Sequence, residues 1–159
     1  MDLTQSLKSL GFSLSDIDES DLSDFIYVEK VSHFKYVAQH HDFFGDWNEE
    51  ILRQSFHDKR KMSFFKKVLL NGETVGFISY DKHDNKIDSV FIRLIEKVQG
   101  NGIGTWFLLN LKSMSDKLSI PVFLMAIRTN PAHKLYRHLG FNCYDENNVF
   151  FFFRYDPKQ

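Results

Sequence analysis

Residues 99–104 read Gln99-Gly100-Asn101-Gly102-Ile103-Gly104, a glycine-rich turn between an apolar run and an amphipathic stretch. Upstream, Ile87 to Val98 has strand character: branched residues are enriched, and Val90, Ile92 and Leu94 alternate with a period of two. Downstream, Ile103, Trp106, Phe107, Leu111, Met114 and Leu118 recur at helical spacing. Glycines at 100, 102 and 104 can take positive φ and let a ligand approach the backbone, while the N–H groups at a helix start lack intrahelical partners. A strand, a glycine turn and a helix in this order predict an anion-binding nest spanning Gln99, Gly100, Asn101, Gly102, Ile103, Gly104 and Thr105. A dinucleotide fingerprint does not fit, because Thr105 breaks the G-x-G-x-x-G spacing and only 55 residues follow the loop. A Walker loop does not fit either, since Gly104-Thr105-Trp106 offers no lysine.

Ser119 to Thr129 is a second strand candidate and leads into Asn130-Pro131-Ala132-His133-Lys134-Leu135-Tyr136-Arg137-His138-Leu139-Gly140-Phe141. Asn130 suits an N-cap, Pro131 the first helical position and Gly140 the residue after the C-cap, which predicts a short helix from about residue 131 to 139. Ala132, Leu135, Tyr136 and Leu139 share its inward face, leaving Lys134, Arg137 and His138 outward. Side chains on a helix lean toward its N-terminus, so the Tyr136 hydroxyl is aimed back toward the end of the preceding strand.

The pair of motifs, Q-x-x-G-x-G and then N-P-x-x-x-L-Y-x-x-x-G-F, resembles the GCN5-related N-acetyltransferase (GNAT) superfamily over residues 11 to 155. Gln99, Gly102 and Gly104 match every fixed position of that family's pyrophosphate loop. Asn130 and Tyr136 match its CoA-contacting asparagine and its usual general-acid tyrosine. Residues 43–50 (Phe-Phe-Gly-Asp-Trp-Asn-Glu-Glu), with Gln54 and Phe56, resemble a G-W-D-E…F pattern of some small bacterial members, although Asp46-Trp47-Asn48 departs from its order.

The resemblance implies an α/β fold with a six- or seven-stranded mixed sheet, helices on both faces, and the fourth and fifth strands splayed to admit a pantetheine arm. It implies acetyl-CoA as cosubstrate and direct transfer of its acetyl group to the primary amine of a small molecule or peptide. Backbone groups at the strand end, Leu94, Ile95 and Glu96, and the Asn130 side chain would hold pantetheine, and Tyr136 would protonate the departing thiolate. The acceptor ammonium must also lose a proton. Glu29, on a helix bordering the groove, and Asp88 and Glu96, on the central strand, are the carboxylate candidates. Two other functions on the same fold remain open: a non-catalytic acyl-CoA sensor or interaction domain, and an acetyltransferase toxin acting on aminoacyl-tRNA.

Composition bounds these readings. A chain of 159 residues suits one domain, residues 1–159, burying about 70 % of its unfolded surface in one core. A net charge of −1, with lysines and acids interspersed, argues against nucleic acid as a partner. No apolar run approaches the length of a membrane span, and the polar, acidic start does not read as a secretory signal. The single cysteine, Cys143, excludes an internal disulfide, and a cytoplasmic monomer or homodimer is expected. His40-His41-Asp42, His57-Asp58 and His83-Asp84 lack the spacing of a closed metal site, so no metal is expected.

The remaining patterns predict the order β-α-α-α-β-β-β-α-β-α-β-β. Phe12 to Leu14 reads as a strand. Leu22, Phe25, Ile26 and Val28 then mark one helix, Phe34 to His40 a second, and Trp47 to Asp58 a third. Asn71-Gly72 signals a hairpin between Ser63–Leu70 and Thr74–Tyr80, and Phe141–Tyr144 pairs with Val149–Tyr155. Phe34, Tyr36, Phe43, Phe44 and Trp47 divide between an acceptor pocket and core packing.

Overall fold

The structure, a computed structural model, describes all residues from 1 to 159. Seven strands form one sheet in the order β1-β2-β3-β4-β5-β7-β6: Phe12–Asp16, Phe64–Leu70, Glu73–Lys82, Ile87–Leu94, Val122–Ile127, Phe150–Tyr155 and, at the edge, Asn142–Glu146 as β6. Every neighbouring pair is antiparallel except β4 and β5. The helices are α1 (Gln5–Ser9), α2 (Leu22–Ser32), α3 (Phe34–Ala38), α4 (His41–Phe44), α5 (Glu49–Lys59), α6 (Ile103–Leu118) and α7 (Ala132–His138). No helix is long and apolar enough to cross a membrane.

Adjacent residues on a strand point to opposite faces, and β3 shows both layers at once. Ile78 and Tyr80 enter the larger cluster with Trp106, Phe107, Leu108 and Leu111 of α6, whereas Phe77 faces a smaller aromatic cluster. That second cluster joins Phe25 and Val28 of α2, Phe56 of α5, and Phe65, Phe77 and Phe91 of the sheet. The Phe25 ring lies 5.3–6.0 Å from those of Phe56, Phe65, Phe77 and Phe91, edge-on to the first three and stacked on the last. Helices therefore cover both faces, as expected, and the aromatic cluster seats α2 on β4.

Several elements differ from the sequence reading: beside small shifts at strand ends, the helical stretch expected from Phe34 to His40 divides into α3, Phe34–Ala38, and a separate α4, His41–Phe44. The strand expected to run to Val98 stops at Leu94, and residues 96–98 form a 3₁₀ turn that delivers the chain to the glycine loop. The helix expected from Trp47 starts at Glu49, because the Asn48 side chain accepts a hydrogen bond from the Glu50 N–H at 2.9 Å. Helix α1 was not expected; at five residues it shows no helical period, yet Leu7 is buried and Thr4 caps it. The Trp106 indole anchors this N-terminal segment by donating to the Asp2 carbonyl at 2.9 Å.

Phe25 is 1 % exposed and meets four rings, so Phe25→Ala should remove about 3–5 kcal/mol of stability, measured by urea unfolding.

Candidate active site

Strands β4 and β5 share a single register pair, Ile87 with Val122, supported by the Ile87 N–H donating to the Pro121 carbonyl at 2.8 Å. Beyond it they part, while β5 stays paired to β7 over six residues and β4 to β3. The divergence opens a cleft of about 470 Å³ at the carboxyl ends of both strands. Its walls come from β4 (Ile92, Arg93, Leu94), the glycine loop and α6 start, the Asn130–Ala132 turn with α7 (Leu135, Tyr136), and the α2–α3 junction (Ser32, His33, Tyr36).

The glycine loop is a row of open donors. The backbone N–H groups of Gly100, Asn101, Gly102, Ile103, Gly104 and Thr105 donate to nothing within the protein; the first helical bond of α6 runs from Trp106 to Gly102. Gly100 and Gly102 have φ of +81° and +94°, and a Cβ at either would face open space. Gly104 differs from the sequence reading: its φ is not positive, and a Cβ there would touch Leu135 at an ordinary 3.5 Å. The Gln99 amide donates back to the Leu94 carbonyl at 2.9 Å, and the Asn101 amide to Val98 at 3.1 Å. These two side chains stiffen the turn from within, and the sixteen-residue α6 adds the positive end of its dipole.

Across the cleft, α7 begins at Ala132 with Pro131, not Asn130, in the N-cap position; Asn130 just before it accepts from the Ala132 N–H at 3.0 Å, which leaves its amide N–H₂ free. The Tyr136 ring packs edge-on against Phe153 at 5.6 Å and faces the cavity. Desolvation pushes its phenol above the usual range, against an opposing pull from Arg93. The phenol therefore stays protonated at neutral pH.

The wall opposite the loop holds groups that sequence reasoning missed. Arg93 donates from Nε to Glu29 Oε1 at 2.8 Å, and Glu29 is only 6 % exposed. His33 beside them is pushed down to about 2 by burial and by the Arg93 charge. A signal for the ion pair was present. Phe25, Val28, Glu29 and Ser32 share one buried face of α2, and Arg93 follows Phe91 on the α2-facing side of β4. Two opposite charges on facing apolar surfaces require each other.

The three carboxylate candidates fall in different places. Glu29 is committed to Arg93, and Glu96 stands exposed on the 3₁₀ turn outside the cavity lining. Asp88 lies near the start of β4, away from the cleft mouth, in a network with His83 at 2.9 Å and Lys86 at 3.0 Å that also brings Asp81 close to His83. Of the candidate acceptor aromatics, only Tyr36 lines the cleft; Phe34 packs on Trp47, and Phe43 and Phe44 on Phe150. Leu94 lines the cleft, whereas Ile95 packs on the core beside it. Cys143 sits half-buried on edge strand β6.

Comparison with known proteins agrees with this fold. The acetyltransferase (GNAT) domain family matches residues 29–155, and the chain belongs to that family. Among solved structures, the PaiA N-acetyltransferase of Thermoplasma acidophilum, in complex with coenzyme A, superposes with a TM-score of 0.66 at 19 % identity, covering 91 % of this chain and 98 % of that one. An acetyltransferase of Thermus thermophilus gives 0.66 at 15 % identity, covering 92 % and 97 %. No curated protein sequence matches the chain.

The His33 ring is neutral when folded, whereas an unfolded imidazole takes a proton near the ordinary value of 6.5. The unfolded state then binds more protons below that pH, so stability falls as pH drops below 6.5, by up to about 1.4 kcal/mol per unit from this group. Urea unfolding at pH 7 and pH 5 should show a shallower loss in His33→Gln than in the wild type.

Proposed function

We propose that this protein transfers the acetyl group of acetyl-CoA to a primary amine of a small molecule or peptide. The observation that carries this reading is the meeting in one cleft of five residues with unpartnered backbone N–H groups, Gly100, Gly102, Ile103, Gly104 and Thr105, with Asn130 and Tyr136. Coenzyme A fits these residues: it is a long chain with a doubly anionic pyrophosphate, and the open space above Gly100 and Gly102 lets phosphate oxygens reach the N–H groups. Charge-assisted hydrogen bonds of roughly 1.5–3 kcal/mol each make a few of these donors sufficient for micromolar affinity after association costs.

The Asn130 amide and the diverging edge of β4 up to Leu94 offer the polar groups for the amide-rich pantetheine arm, whereas the Ile95 N–H is spent on the Val75 carbonyl and Glu96 lies outside the cleft lining. A β4 N–H there polarises the thioester carbonyl as its oxygen gains charge during attack. Tyr136, kept protonated by burial, donates to the departing thiolate as its C–S bond breaks. On the acceptor side, Glu29 is tied to Arg93, so His33 takes the nearer role. An imidazole held neutral accepts a hydrogen bond from the incoming amine and orients it, and the amine's proton leaves to solvent at the open mouth.

Two measurements test the reading. Gly102→Val places a branched side chain at a φ of +94° above the donors, so calorimetric affinity for acetyl-CoA should fall about tenfold or more in a folded variant. Tyr136→Phe keeps the ring and removes only the hydroxyl. Turnover should drop roughly 10²–10⁴-fold with little change in acetyl-CoA affinity. Full turnover in Tyr136→Phe would remove the hydroxyl from the mechanism.

A further inference from the structure

Acetyl transfer to a bare amine does not by itself call for a guanidinium in the acceptor wall, and this cleft has one. None of the residues lining the cavity is Asp or Glu, and Arg93 is its one fixed charge. The guanidinium is locked in place: Nε donates to Glu29 at 2.8 Å, Nη1 donates to the Ile92 carbonyl at 3.0 Å, and its central carbon lies 4.3 Å from the centre of the Phe91 ring. Nη2 donates to nothing in the protein. With five donors in a rigid fork, an arginine held this way has donors left over, and Arg93 is a residue of the cavity lining.

The surrounding charge has the same sign. The Lys59 ammonium lies 4.2 Å from the centre of the same Phe91 ring, so two cations flank that ring, with the buried Glu29 carboxylate paired to Arg93 and Asp58 acting on Lys59 from its own helix. Burial first, and then the Arg93 charge, push Lys59 down to about 8 against the opposing pull of Glu29 and Asp58. His33 is neutral and offsets none of the positive charge. Such a wall disfavours a second ammonium on the acceptor and favours an anion, above all a planar carboxylate that takes two N–H groups at once.

Resting on the acetyltransferase reading above, we propose that the acceptor is a primary amine that also carries a carboxylate, an α-amino acid or a short ω-aminoalkanoate. Arg93 holds that carboxylate by its free edge. Glu29 and Phe91 are positioning residues that aim the guanidinium, and the amine is thereby presented beside His33 toward the thioester.

The test compares matched pairs: amino acids and ω-aminoalkanoates against their own carboxamides, with 1,5-diaminopentane as the cationic counterpart, assayed by release of CoA thiol. The acid of the best pair should exceed its amide about 10- to 100-fold in kcat/KM, the range of one charge-assisted hydrogen-bonded contact, mostly through KM. Arg93→Gln leaves Glu29 buried without its partner, so the double variant Glu29→Gln/Arg93→Gln and the charge-preserving Arg93→Lys are measured beside it. In each folded variant the acid-to-amide ratio should collapse toward one, with Arg93→Lys intermediate. Equal use of acid and amide by the wild type, a preference for the diamine, or an unchanged ratio without Arg93 would overturn the proposal. If acetyl-CoA binds and no amine is acetylated, the catalytic reading fails by itself. Calorimetry of N-acetyl-amino acids against their amides in the CoA complex then decides the carboxylate site, tighter binding of the acid supporting it and equal binding overturning it.

Discussion

The divergence of β4 from β5 is the constraint on which the rest of this molecule depends. Two adjacent parallel strands ordinarily continue their ladder, but here the ladder holds at Ile87 and Val122 alone. Each strand is secured on its other side, β4 by β3 and β5 by β7, so the sheet survives the gap. Irregularities add local twist: the register shifts between Ser79 and Asp81, and Ser89 takes a φ of +53°. The gap exposes strand-end backbone at the carboxyl side of the sheet, where α/β folds gather ligands. The residues that line this opening lie just after, or pack just against, the end of β4 or β5.

The two sides of the cleft are built by different physics. On the loop side the donors are main-chain N–H groups, freed because a helix start has no partners for them and two φ-positive glycines turn them one way. Nothing there needs a charged side chain. On the opposite wall a side-chain charge does the positioning. Glu29 and Arg93 tie α2 to β4 through a low-dielectric layer, and the Phe25 cluster keeps water from the pair. A buried pair of this sort adds little net stability against an apolar alternative, yet loss of one member leaves an uncompensated charge. Its role is geometric, since it sets the orientation of a guanidinium whose charge adds to burial in holding down the ionisation of His33 and Lys59.

Much of the fold was legible in the chain. The period-two run of β4 gives way to helical spacing after Gln99, and Asn130, Pro131 and Gly140 punctuate α7; these are local signals read from adjacent residues. That the glycine loop, Asn130 and Tyr136 belong together was legible for the same reason, because each lies in a short motif, and the structure brings them to one cleft. The Gln99 role was only half visible: the motif marks the residue, and the tertiary structure shows its amide tying the loop back to Leu94. Short elements such as α1 escaped, since five residues carry too little periodicity and Leu7 is helical because the core receives it.

What the sequence determined by itself was therefore the order of elements, the anion nest and the two motif residues, since turn chemistry, capping and periodicity act over a few neighbouring positions. What only the tertiary structure decided was the wall of the cleft opposite the glycine loop. Glu29 and Arg93 are 64 positions apart, and no local rule says whether a glutamate on a helix meets solvent or a guanidinium. Read alone, Glu29 is a candidate base; packed against β4, it is the counter-ion that aims Arg93. The same holds for His33, whose neutrality comes from burial and from a charge on a distant strand, both created only when α2 settles on the sheet.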